Sequence, residues 1–194
     1  MATRCFVAVP LPEAYQQALP EMASAWESIL RSKMTWTKQG NWHLTLSFLG
    51  ELEPEMLASV QEVLPVVPVT RFSLQASGGG FFPPGKNPRV IWIGIRQGAQ
   101  ECIRLAQKIE QALHPLGFPP SSRPFRPHLT VARVKHPRPD DWSQVLKWLQ
   151  KREWPVFEVT KYVLYASRLT PQGPEYRVLN EYPLEEEFAN GNGS

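Results

Sequence analysis

The chain has 194 residues, 42% of them hydrophobic, with seven Trp, nine Phe and a formal net charge of +3. That is ample material for a packed core, and the length fits one compact domain or two intimately packed halves of about 90 residues each. No run approaches the roughly 18 apolar residues of a membrane-spanning helix, no Cys-x-x-Cys pair suggests zinc, and the small positive excess tolerates a phosphorylated partner without announcing one.

In chain order, "RCFVAVP" is an apolar run bounded by Pro10 and predicts a strand over 4–9; it is too short for a signal peptide. Tyr15, Leu19, Met22, Trp26, Ile29 and Leu30 recur at helical spacing and predict a helix over about 13–32. A second strand holds "NWHLTLSFLG" at 41–50. Pro54, with Glu53 and Glu55 beside it, opens a helix over 54–64 whose apolar face is Met56, Leu57, Val60 and Leu64. "RFSLQAS" is strand-like, and "GGGFFPPGKNP" is built for a bend. The order then repeats: a strand over 89–95, a helix over about 99–116 with Cys102, Leu105, Ile109, Ala112, Leu113 and Leu116 on one face, and "RPHLTVARVK" at 126–135. A helix over 140–151 follows, with Asp140 and Asp141 in its first turn and Trp142, Val145, Leu146 and Leu149 inward, and then the strand run "VFEVTKYVLYAS". Cys5 and Cys102 read as buried free thiols of a cytoplasmic protein. The stretch 184–194 reads as a disordered tail.

His43 and His128 stand 85 positions apart, and the same offset superposes Arg4 on Arg89, Leu44 and Thr45 on Leu129 and Thr130, Pro54 on Pro139, Val60 on Val145, Leu64 on Leu149, and Phe72 on Phe157. One register kept across five elements predicts a structural repeat. The expected fold is therefore α+β and bilobal: two half-domains related by a pseudo-two-fold axis, each β-α-β-α-β, with antiparallel sheets flanking a central cleft. Residues 1–183 would form this single unit, with repeats over about 4–80 and 89–168.

Side chains alternate along a strand, so His43 and Thr45 share one face while Leu44 and Leu46 take the other; His128 and Thr130 do likewise against Leu129 and Val131. Across a two-fold axis, two imidazoles and two hydroxyls would converge. An isolated strand histidine is ordinarily structural; the matched pair turns the balance toward chemistry. Imidazoles, with ordinary pKa values of about 6.5, suit an acid–base couple at neutral pH. Threonine hydroxyls can hold phosphate oxygens, and Arg126 or Arg133 can neutralise charge at phosphorus. Between Ser121 and Pro139 lie Arg123, Arg126, Arg133, Lys135 and Arg138 without one acidic residue, and Lys33 and Lys38 precede the first motif, so this basic surface suits a nucleotide or RNA end.

The two His-x-Thr strands, with "RCFVAVPLP", "HLTLSFLGE", "NPRVIWIGI" and "RPFRPHLTVARV", resemble the 2H phosphoesterase superfamily, in its RNA 2′,3′-cyclic phosphodiesterase (2′-5′ RNA ligase-like) branch, from about residue 3 to 183. The resemblance implies hydrolysis of RNA or nucleoside 2′,3′-cyclic phosphate to a 2′-phosphomonoester, without metal or other cofactor, and admits 2′-5′ RNA ligation. It implies His43 and His128 as the catalytic pair, Thr45 and Thr130 as phosphate-binding residues, Arg133 as a third, and Phe48 as an aromatic against the base. Spacing assigns neither histidine as acid or base; by analogy His128 is the base on water and His43 the acid on the 3′ oxygen. Trp42 stands where relatives often carry a smaller apolar residue. Strand parity opposes two of these assignments, because Phe48 and Arg133 each lie five residues after a motif histidine and would face away unless a bulge re-aims them.

Other readings are a phosphodiesterase for another small cyclic phosphate, a non-catalytic module binding RNA ends, and a two-histidine metal site, the last lacking any Asp or Glu within either motif. A monomer acting in the cytoplasm on RNA ends, with no membrane partner, completes the expectation.

Overall fold

The computed structural model describes residues 1–85, 87–170 and 173–186. Among these residues nine strands build two antiparallel sheets. The first has the order β3-β1-β8-β9, formed by β1 (Thr3–Pro10), β3 (His43–Leu52), β8 (Lys161–Thr170) and β9 (Gly173–Pro183). The second has the order β2-β6-β5-β4-β7, formed by β2 (Lys33–Trp36), β4 (Phe72–Phe82), β5 (Val90–Gln97), β6 (His128–His136) and β7 (Phe157–Val159). Helices α1 (Glu13–Gln16), α2 (Ala18–Glu27), α3 (Pro54–Val63), α4 (Ala99–Leu113) and α5 (Trp142–Lys151) cover one face of each sheet. The α+β class and the antiparallel sheets are as the pattern predicts; the duplicated order holds with β2 and β9 added to it, and the single strand expected over "VFEVTKYVLYAS" divides into β7 and β8, which join different sheets.

The sheets do not follow the boundaries of the repeat. In each, a motif strand lies beside a first strand, which pairs with the closing strand of the other repeat: β3-β1-β8 in one sheet, β6-β5-β4 in the other. The helices exchange likewise. α3 and α4 pack behind β3, while α5 packs on β4 and meets α2 through Trp26 and Trp148, whose rings cross edge to face at 5.4 Å. This exchange locks the halves into one core that includes Val7, Tyr15, Trp26, Leu44, Ile93, Ile109, Leu129 and Leu164.

Several elements depart from expectation for identifiable reasons. The helix over 13–32 breaks after Gln16, because Pro20 cannot donate to the carbonyl four residues back, and it ends at Glu27, which leaves Ile29 46% exposed. The helix starting at Asp140 begins instead at Trp142: Asp141 is its N-cap and accepts from the Ser143 amide at 3.1 Å. Asp140 reaches away from its own helix to accept from the amides of Arg31 and Ser32 at 2.8 and 2.9 Å, pinning the entry to β2. Trp42 is 1% exposed, packed on Tyr15 and Trp154, so it belongs to the core and not to the cleft. The stretch read as a tail begins with ordered residues. Leu184 is 4% exposed, and Glu185 bridges Thr70. Residues 187–194 lie outside the described residues. Cys5 and Cys102 are buried free thiols; burial, with Glu101 nearby, pushes the Cys102 thiol up to about 12.

Candidate active site

The two motif strands approach each other where the sheets meet, β3 as the edge of its sheet and β6 beside the short β2. Both turn their leucines inward: Leu44 and Leu129 are fully buried, while His43, Thr45, His128 and Thr130 stand half-buried on the opposite face.

Each imidazole is held the same way. His43 Nδ1 donates to the Asn41 carbonyl at 2.7 Å, and His128 Nδ1 donates to the Arg126 carbonyl, also at 2.7 Å. A carbonyl only accepts, so in each ring Nδ1 carries the hydrogen and Nε2 is left for chemistry. Asn41 and Arg126 are two residues before their histidines, so the repeat duplicates the tautomer as well as the ring. His43 Nε2 takes the Thr45 hydroxyl at 3.0 Å. His128 Nε2 has no hydrogen-bond partner among the described residues. Arg126 thus contributes its backbone to the site; its side chain is exposed.

Aromatic walls back both rings, and neither motif carries a sign of them. Phe6 stacks on His43 at 4.7 Å, Tyr176 meets it edge-on at 5.3 Å, and Tyr165 lies behind at 6.0 Å. Phe82 and Trp92 meet His128 edge-on at 5.3 and 6.4 Å. Trp92 lies across Gly80, where a Cβ would come within 2.8 Å of the indole, so glycine is required for that ring to lie flat. The only available signal was cross-strand pairing, which a sequence does not print: Phe6 opposes Tyr165 and Val90 opposes Phe82.

Desolvation lowers the pKa of His43 to about 4 against the partial offset of the Asn41 carbonyl, so this imidazole is neutral throughout the neutral range. Tyr176 is raised by burial and drawn part of the way back by the guanidinium groups of Arg133 and Arg4. Tyr176 belongs to the sheet of His43 and Arg133 to the sheet of His128, so the two uncovered faces share one space.

Two bulges settle the parity problem. Along β1 and β3 the pairing runs Ala8–Thr45, Val7–Ser47, Phe6–Phe48, passing over Leu46. Along β5 and β6 it runs Trp92–Thr130, Ile91–Ala132, Val90–Arg133, passing over Val131. The extra residue flips the alternation, so Phe48 rejoins the face of His43 and Arg133 that of His128. Phe48 is 71% exposed, its ring 6.3 Å from Phe6. The bulge is itself duplicated. It also shows that the first strands superpose as Phe6 on Val90, 84 positions apart, not at the offset of 85 that places Arg4 on Arg89.

The arrangement offers two imidazoles tethered through Nδ1, a hydroxyl two residues beyond each, the Arg133 guanidinium and an exposed aromatic ring. Comparison with known proteins adds the following. A family model described as the 2′-5′ RNA ligase superfamily matches residues 6–169. A protein of Aeropyrum pernix named RNA 2′,3′-cyclic phosphodiesterase is 36% identical over 151 residues, 76% of this chain and 85% of its own. Its namesake from Thermotoga maritima is 31% identical over 188 residues, 94% and 96% of the two chains. The crystal structure of TT0787 from Thermus thermophilus superposes with a TM-score of 0.78 at 29% identity, covering 95% of this chain and 99% of that one. The duplicated motif strands, the matched span and these relatives agree, and the chain belongs to the 2′-5′ RNA ligase superfamily.

Proposed function

We propose that this protein hydrolyses 2′,3′-cyclic phosphates at RNA ends to 2′-phosphomonoesters by two-histidine acid–base catalysis without a metal ion. The observation that carries the reading is the duplicated tether: in two rings from two sheets, Nδ1 is held 2.7 Å from a carbonyl two residues upstream, which leaves Nε2 for chemistry. Water held by one Nε2 loses its proton as its oxygen bonds to phosphorus. The P–O3′ bond breaks, and the other ring delivers a proton to O3′. Thr45, Thr130 and Arg133 hold the phosphate oxygens, and Phe48 offers its face to the terminal base.

His128, whose Nε2 has no hydrogen-bond partner among the described residues, is the base on water, as family analogy assigns. His43 is the acid. In the free protein it is neutral, so it must gain its proton as the substrate arrives. A phosphate anion in the same dry pocket supplies the reason, because a negative charge beside an imidazole favours the imidazolium. Each positioned transfer is worth about 10²–10⁴ in rate. Ligation through a 2′-5′ junction is the same proton exchange run between RNA ends. A two-histidine metal site has less to support it: among the described residues no three His, Cys, Asp or Glu side chains gather as a ligand set.

The test is incubation with a nucleoside 2′,3′-cyclic phosphate in EDTA, with identification of the product isomer. A 2′-monophosphate is expected. Absence of turnover, or turnover only after a divalent metal is restored, overturns the reading.

A further inference from the structure

The two sheets match strand for strand around their motifs except at one place. β6 has an outer neighbour, β2, whereas β3 has none among the described residues. Thr35 opposes Arg133, Met34 opposes Val134, and Lys33 opposes His136, passing over Lys135 as a bulge. Met34 and Val134 turn to the core. Lys33, Thr35, Arg133, Lys135 and His136 are all exposed, and together they extend the surface of His128 and Thr130. Among the described residues none of Lys33, Arg133 and Lys135 is ion-paired, and the two carboxylates that touch the ends of β2 are engaged elsewhere: Asp140 by the Arg31 and Ser32 amides, Glu27 by the Trp36 indole N–H. From Thr130 to His136 such a strand runs about 20 Å. A positively charged strip without a neutralising acid, starting at the phosphate site, is complementary to a polyanion and to little else.

We propose that β2 and the second half of β6 form a track for the RNA backbone on the 5′ side of the cyclic phosphate, with Lys33 and Lys135 each neutralising one phosphate. This rests on the hydrolase reading and goes beyond it: the preferred substrate is a short oligonucleotide and not a mononucleotide. Two phosphate contacts on single-stranded RNA give a slope of about −1.4 in log affinity against log salt, roughly a sevenfold loss between 50 and 200 mM.

The experiment compares kcat/KM for a nucleoside 2′,3′-cyclic phosphate and for a tetranucleotide ending in the same group, at 50 and 200 mM salt, in the wild type and in a Lys33→Gln/Lys135→Gln variant. The wild type should favour the tetranucleotide, with an advantage that shrinks about sevenfold at high salt. The variant should lose that salt-sensitive advantage and keep its mononucleotide turnover. Equal kcat/KM for both lengths in the wild type overturns the track, as does an advantage that survives unchanged in the variant. The wild-type salt comparison stands even if the variant fails to fold. Loss of turnover on both substrates would strike the hydrolase reading instead. Fluorescence anisotropy of a labelled tetranucleotide, with the same two lysine changes, then tests the track alone, and unchanged affinity overturns it.

Discussion

Sulfate, a tetrahedral anion whose charge is constant above about pH 3, should raise the pKa of His43. In the free protein the dry wall of Phe6, Tyr165 and Tyr176 holds this imidazole at about 4. A unit negative charge about 4 Å from Nε2, at the effective dielectric of a protein surface, favours the imidazolium by about 4 kcal/mol. At 1.36 kcal/mol per pKa unit that is a rise of about 3 units, to near 7. The acid required by the mechanism is thus created by the anion it serves. The assay is NMR titration of the imidazole Cε1–H signals, assigned with His43→Gln, with and without saturating sulfate. The expected result is a His43 midpoint near 4 that moves up by two to three units. A free-state midpoint near 6.5 would refute the dry wall, and a midpoint that stays near 4 under saturating sulfate would refute substrate-induced protonation.

The same group makes stability depend on pH. Its folded pKa lies below the ordinary 6.5, so between about 4 and 6.5 the unfolded chain binds the extra proton and stability falls as pH falls. The loss is about 3 kcal/mol when complete, and His43→Gln should lose about that much less between pH 7 and pH 4 in paired urea melts; parallel curves would contradict it. Arg133→Ala should raise KM for the cyclic phosphate and lower kcat, by about 10²-fold or more in kcat/KM, because a charge-assisted contact to the reacting phosphate is lost. An unchanged kcat/KM would mean that the bulge does not deliver Arg133 to the phosphate. A p-nitrophenyl phosphodiester, whose leaving group needs no proton, should rescue His43→Ala far more than His128→Ala; the reverse pattern would exchange acid and base.

The repeat, the element order and the His-x-Thr pairs were legible because each is a local or periodic signal. His43 and His128 are recognisable from 85 positions away, and Leu44 and Leu129 announce their faces by alternation. What stayed hidden depends on contacts between distant strands. The bulges at Leu46 and Val131 decide where Phe48 and Arg133 point, yet no residue in either motif betrays them. β2 is four residues, "KMTW", too short for alternation to register, and exists because Thr37 ties the following loop to the Thr130 and Val131 carbonyls at 2.9 Å while Asp140 holds its start. β9 alternates with charges, "EYRVLNEYP", and takes its register wholly from β8. The exchange of β4 and β8 between sheets is equally silent, since a repeat offset says which elements match but not which ones pair. The aromatic wall of His43 follows from that exchange, because Tyr165 and Tyr176 come from the C-terminal strands.

The central claim is that two matched imidazoles move the protons. Single-turnover hydrolysis of a nucleoside 2′,3′-cyclic phosphate in EDTA by His43→Ala and by His128→Ala tests it most directly, with thermal melts to confirm that both variants fold. Each rate constant should fall by about 10²–10⁴ or more. Near-wild-type turnover by either folded variant would contradict the two-histidine account.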